Sequence, residues 1–259
     1  MNDLRIVKSA AEIQNMRTAG RASGRAFTEA AKQRFEREKL LEASLIHQFI
    51  RQGCDRKAFE PVVAGGTNAL GIHYVRNDDI LVGGQLVLVD AGGEYGGYLA
   101  DITRTWPISG SFTPAQRDLY EAVLAVQRSC IAACTQSANK SMEDLHEKAE
   151  RGLKEELKQI GFDISRNAMS VLFPHHLSHH VGLDLHDCIS YSKRLPVQTG
   201  QCITIEPGIY VPEDDDRFPK HFRGMGIRIE DSVCVGDASP LVLSAEAVKE
   251  VEDIEALRS

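Results

Sequence analysis

Five residues of metal-ligating type stand in segments that read as extended: Asp90, Asp101, His179, Glu206 and Glu230. Asp90 closes the apolar run of GQLVLVDAG (84–92), and Asp101 follows it in YLADITRTWPI. His179 sits in PHHLSHHVGLDLHD, Glu206 ends the strand of GQCITIEPG (200–208), and Glu230 lies in GIRIED. Each has an ordinary reading alone. An aspartate at a strand end is most often a turn former, a lone histidine is usually a satisfied surface or core residue, and GIRIED could be an edge strand. Together they point to chemistry. Four carboxylates buried on one sheet repel each other unless cations lie between them. Oxygen-rich ligands with a single imidazole suit Mn²⁺, Co²⁺ or Zn²⁺ at a two-metal centre. Such a centre activates a bridging water and clamps the tetrahedral intermediate of a hydrolysis.

The elements that must position these groups recur. GQLVLVDAG and GQCITIEPG align at one constant offset: Gly84 with Gly200, Gln85 with Gln201, Asp90 with Glu206, Gly92 with Gly208. Chance is one explanation, because buried strands often end in Gly or Pro turns. Internal duplication, bringing two carboxylates to a shared centre, is the other. Helices flank both copies. Ser9-Ala10-Ala11-Glu12 is a capping box, in which a hydroxyl and a carboxylate satisfy free backbone donors, and a second helix is predicted over about 36–52. Thr113-Pro114-Ala115-Gln116 and Ser141-Met142-Glu143-Asp144 open two more, the last ending near Gly161. Residues 58–66 and 70–75 read as extended. So do SVLF (170–173), the His-rich stretch, QCITIEPGIYV and GIRIEDSVCV. Two helices then strands, twice over, predict one α+β domain of two related halves.

Composition narrows the function classes. With 42% hydrophobic and 26% charged residues the chain reads as globular and soluble, with a real core. No apolar run is long enough for a membrane span, and the first residues lack a signal-peptide pattern. A net charge of −7 without a Lys/Arg cluster argues against nucleic acid or an anionic membrane as partner. The six cysteines show no CxxC pair and read as reduced and mostly buried, as in an intracellular protein.

VDAGGEYGGYLADITRTWP, HHLSHHVGLDLHD, TIEPGIY and RGMGIRIED closely resemble the metal-binding segments of aminopeptidase P and prolidase, and the likeness runs from Ile6 to about Ala256. It implies the pita-bread fold, a pseudo-twofold repeat of helices on a curved, mostly antiparallel sheet. It implies two divalent ions, Mn²⁺ first and Co²⁺ or Zn²⁺ next. Asp90 would hold one, His179 and Glu206 the other, and Asp101 and Glu230 would bridge both. Glu206 would also orient or deprotonate the water. His73, His175 and His186 match positions that line the substrate site and stabilise charge on the carbonyl oxygen. His176 and His180 match nothing the pattern needs. Arg228, two before Glu230 on the same strand face, is expected to orient a ligand carboxylate. Tyr210 is equally a pocket residue or an ordinary buried tyrosine, and Glu213-Asp214-Asp215-Asp216 reads as a solvated loop.

The expected activity is removal of the N-terminal residue from peptides or protein N-termini, Xaa-Pro-directed. Methionine aminopeptidases are one alternative, disfavoured by His175, by His186-Asp187 and by RGMGIRIED. Prolidase shares most of the motifs, but GMGIRIED and TRTWPISGSFTPAQ look more like aminopeptidase P, and most like its mitochondrial, intermediate-cleaving branch. A non-catalytic pita-bread binding module is the alternative from another class. The family's additional N-terminal domain is not expected before the first helix, so residues 1–259 are expected to be a single catalytic domain, either an excised piece or a natural short form. A cytoplasmic or mitochondrial site is expected, with a homodimer left open.

Overall fold

The computed structural model describes residues 2–258. Its helices are α1 (Asn2–Arg5), α2 (Ala10–Ala31), α3 (Glu38–Gln52), α4 (Pro114–Ala132), α5 (Met142–Gln159), α6 (Ala168–Leu172) and α7 (Val251–Ala256). The strands of the first half are β1 (Arg56–Lys57), β2 (Val62–Gly65), β3 (Leu86–Ala91), β4 (Gly93–Tyr95), β5 (Tyr98–Leu99) and β6 (Ile102–Pro107). Those of the second are β7 (Cys202–Ile205), β8 (Gly208–Tyr210), β9 (Gly226–Arg228), β10 (Asp231–Cys234) and β11 (Leu241–Val242). Every pairing between these strands is antiparallel.

Local chemistry explains most of the boundaries. Ser9, Thr113 and Ser141 each form the complete capping box, and α3 stops at Gly53 in the left-handed region. Gly84 and Gly200, the aligned glycines, share the same φ of +87°, which L side chains resist. The repeat is therefore a repeat of backbone, with a glycine turn feeding a buried strand each time. α2 packs on α3 and α4 on α5. Leu145, Ala149, Leu153 and Leu157 line the buried stripe of α5, all 0% exposed. Burying each leucine contributes about 1.5–3 kcal/mol.

The two halves meet edge to edge. In one, β3 lies between β2 and β6, with Asp90 opposite Thr103. In the other, β10 lies between β11 and β7. A bridge between Thr103 and Glu230 joins them. Between β3 and β6 the chain forms the small β4–β5 hairpin, paired to β1.

Three expectations need correction. SVLF falls largely in α6, which buries Ala168, Met169 and Leu172; three apolar residues in a row cannot by themselves distinguish strand from helix. Residues 70–75 form no strand: Gly66–Leu70 is a 3₁₀ turn, and His73 lies in the turn that follows. The His-rich stretch also forms no regular strand. It runs beside β7, giving its Leu177 and His179 carbonyls to the N–H groups of Glu206 and Thr204. Its own rings occupy further carbonyls, with His175 Nδ1 on His176 O and His179 Nδ1 on His180 O, both at 3.0 Å. Side-chain bonds of this kind compete with a ladder.

Candidate metal centre

Asp101 precedes β6, His179 comes from the stretch beside β7, and Glu230 lies between β9 and β10. Their ligand atoms all fall within 4.8 Å of one another. His179 Nε2 stands 3.3 Å from Asp101 Oδ2 and 3.6 Å from Glu206 Oε1. Because His179 Nδ1 faces the His180 carbonyl, that nitrogen carries the proton, and Nε2 is left for a ligand. Asp90, at the end of β3, acts on Asp101 from beside this group. Its Oδ2 accepts from Arg228 Nη2 at 2.6 Å, whereas Oδ1 is buried without a partner.

The electrostatics are those of a crowded anionic site. Burial pushes the Asp90 carboxyl up to about 6, opposed by Arg228 and assisted by Asp101. Burial likewise lifts Glu206 to about 7 against the pull of His179 and Arg228. Burial and the neighbouring carboxylates raise Glu230 strongly. For His179, burial disfavours the imidazolium, but Asp101 and Glu206 more than reverse this, to about 9. An orphaned carboxylate oxygen, carboxyls forced toward their neutral form and an imidazole Nε2 aimed at two carboxylates together fit a divalent-cation site.

Hydroxyls, which the sequence reading did not single out, hold the carboxylates in place. Thr103 Oγ1 donates to Glu230 Oε2 at 2.6 Å and accepts from Arg228 Nε at 3.0 Å. Thr204 Oγ1 donates to Glu206 Oε1 at 3.1 Å and accepts the His179 N–H. Ser232 Oγ accepts from the Asp101 N–H and donates to its carbonyl. A signal for them existed. Thr103, Thr204 and Ser232 each stand two residues from an acidic ligand candidate, hence on the same strand face. Arg228, 1% exposed, braces Asp90 directly and reaches Glu230 only through Thr103.

A cleft of about 480 Å³ opens above the centre, with His73, His175, His186, Tyr191, Lys193 and Glu206 in its walls. His186 is exposed, its ring edge-on to His179 at 4.4 Å. His175 is half-buried and held at both nitrogens. Nδ1 donates to the His176 carbonyl, and Nε2 accepts from Tyr210 OH at 3.0 Å. Arg228 Nη1 donates to the same Tyr210 oxygen at 2.7 Å. Burial, with the Arg228 charge, lowers His175 to about 3, so the ring is neutral at neutral pH. Tyr210 is thus a link in a chain from Arg228 to His175. His176 and His180 also line the cleft. The acidic run 213–216 is largely exposed, and Asp215 pairs with Arg217. All six cysteines are free and buried.

Residues 14–237 match the model of metallopeptidase family M24. Intermediate cleaving peptidase 55 of Saccharomyces cerevisiae is 50% identical over 254 residues, covering 98% of this chain and 50% of that protein. Xaa-Pro aminopeptidase 3 of Homo sapiens is 43% identical over 265 residues, covering 99% of this chain and 52% of that protein. The crystal structure of Icp55 from Saccharomyces cerevisiae bound to apstatin inhibitor superposes with a TM-score of 0.95 at 49% identity, covering 99% of this chain and 63% of that one. The chain spans about half the length of the curated relatives it matches.

Proposed function

The chain belongs to metallopeptidase family M24, and on that premise we propose that residues 1–259 are the catalytic domain of a two-metal aminopeptidase that removes the first residue of peptides, with proline favoured at the second position. The observation that carries this reading is the convergence of Asp101, His179 and Glu230 beside Glu206 and Asp90 under an open cleft. Asp90 is assigned to one ion, His179 and Glu206 to the other, and Asp101 and Glu230 to both, with Mn²⁺ the first choice of metal. Bound divalent ions supply Lewis-acid activation of water and of the scissile carbonyl.

The side chains do the rest. Thr204 occupies Glu206 Oε1, so Oε2 is the oxygen free to take a proton from the attacking water and return it to the leaving amine. Arg228 and Thr103 aim Asp90 and Glu230, and the Arg228 charge favours the ionised form of both. His186 and His73, on the exposed side of the cleft, are placed to donate to the substrate carbonyl and main chain. His175 acts on substrate only by exchanging one of its two bonds. The anionic cluster receives the free α-amino group. The family likeness supports peptides or protein N-termini as substrates, and a mitochondrial compartment. Among the described residues no helix is long and apolar enough to cross a membrane.

The test is a peptide library digested by Mn²⁺-loaded protein and read by mass spectrometry. We expect loss of one N-terminal residue from tripeptides and longer chains, abolished by N-acetylation and little changed by C-terminal amidation. Cleavage confined to Xaa-Pro dipeptides would make the protein a prolidase. Metal binding without any cleavage would make it a binding module.

A further inference from the structure

Residues 2–8, ahead of α2, run along the loop that carries His186. The Lys8 N–H donates to the Gly200 carbonyl at 2.9 Å, and Val7 bridges Gln201, which fixes this segment to the start of β7. From there Lys8 Nζ reaches Asp187 Oδ2 at 3.3 Å, with both side chains 1% exposed. Arg5 Nη2 lies 2.6 Å from Asp187 Oδ1 and 2.6 Å from Asp184 Oδ2. The Asp187 N–H donates to the His180 carbonyl at 2.8 Å. Asp187 Oδ1 accepts from the N–H of Cys188, which has a φ of +49°. Room for the pair depends on Gly182, where a Cβ would stand 2.5 Å from Asp187 Oδ2 and 3.1 Å from Lys8 Nζ.

A buried ion pair is a weak way to gain stability, since desolvation cancels most of its attraction and apolar side chains of equal volume would serve as well. What it can provide is direction. Asp187 follows His186 in the chain, and no hydrogen bond holds the His186 ring among the described residues, so apart from its edge-on contact with His179 its place in the cleft is set by the backbone on either side. That backbone is tied through Asp187 to two cations from the far end of the chain.

We propose that Lys8 and Arg5 are positioning residues that act through Asp187 to hold the His186 loop in the cleft wall. The catalytic part of this rests on the peptidase reading above. The test compares Lys8→Met, which keeps the apolar stem, with Lys8→Arg and Arg5→Gln, all metal-loaded. Lys8→Met should speed amide hydrogen exchange over 182–190 by about 10-fold or more while α4 and α5 keep their protection. It should lower kcat/KM by about 10- to 100-fold at unchanged metal content, and Lys8→Arg should recover most of the loss. In a His186→Ala background, Lys8→Met should lower kcat/KM no further, because the function it disturbs is already gone. Unchanged loop exchange in Lys8→Met, or full multiplicative losses in the double variant, overturns the proposal. If Lys8→Met fails to fold, Arg5→Gln, whose side chain is partly exposed, is judged by the same criteria. Wild-type protein that cleaves no peptide sinks the peptidase reading instead, and exchange over 182–190 still decides whether these cations hold the loop.

Discussion

The two halves end their first buried strand in the same way and then treat the carboxylate differently. In the first, Asp90 still lies in β3, and the chain turns into the β4–β5 hairpin. Its support is a cation from the other half, Arg228. In the second, Glu206 lies just past β7 before Pro207, and its support is Thr204 on its own strand. The exchange continues at the junction. The first half supplies carboxylate Asp101 and hydroxyl Thr103, and the second supplies hydroxyl Ser232 and carboxylate Glu230, each hydroxyl bonding across. The repeated backbone provides the geometry, and the departures from repetition provide the chemistry. Neither half holds a complete site.

The largest effect should come from breaking the junction itself. Asp101→Ala removes a carboxylate shared by both proposed ions, so metal content should fall well below two per chain and kcat/KM by more than about 100-fold, beyond the range for supporting residues. Wild-type metal content and turnover in this variant would end the bridging assignment.

Arg228→Met tests whether support from the opposite half matters as much. It strips the buried 2.6 Å cation partner from a half-buried carboxylate. Breaking a buried pair costs about 3–5 kcal/mol, and metal affinity should drop about 10- to 100-fold. Denaturant melts and metal titration read both, and a change under 1 kcal/mol with full affinity would show Asp90 to be indifferent to the bridge.

Chelation sharpens the comparison without mutation. In metal-free protein Asp90 and Glu206 hold protons up to about 6 and about 7, whereas the unfolded chain releases them near the ordinary carboxylate value. Between those values the folded state binds more protons, so these groups make stability fall as pH rises. Metal requires the ionised forms, and His179 Nε2 unprotonated. The gap in Tm between Mn²⁺-loaded and chelated protein should therefore widen from pH 5 to pH 7.5. A constant or shrinking gap would contradict the site.

The smallest effect separates the two glycine turns. Gly84→Ala places its Cβ in open space and pays only the left-handed strain of about 1–2 kcal/mol. At Gly200 the Cβ would also meet Val7 Cγ1 at 3.1 Å and the Lys8 carbonyl at 3.2 Å. Gly200→Ala should be the more destabilising in urea melts, and equal costs would mean that residues 7–8 are not held there.

What could be read beforehand follows the range of the interactions. The capping boxes at Ser9, Thr113 and Ser141 are decided within four residues, and all three form. The paired strands carried their glycines and carboxylates openly. α6 was misread because three apolar residues fit either period, and the His-rich stretch because its rings take the carbonyls a strand would need. Thr103, Thr204 and Ser232 were visible as a two-residue spacing. Lys8 was not, because its partner Asp187 is 179 residues away and nothing local marks either as half of a pair.

The bond between Thr103 and Glu230 spans 127 residues of chain. At a synthesis rate of about 5–20 residues per second, about 6–25 s separate the emergence of the two. Until it ends, Asp90 and Asp101 exist on the nascent chain without a complete second set of ligands, since His179, Glu206, Arg228 and Glu230 are added one after another. Cation capture is thus a closing event in the birth of this molecule, and a chain released early from the ribosome carries half a cage and an open sheet edge.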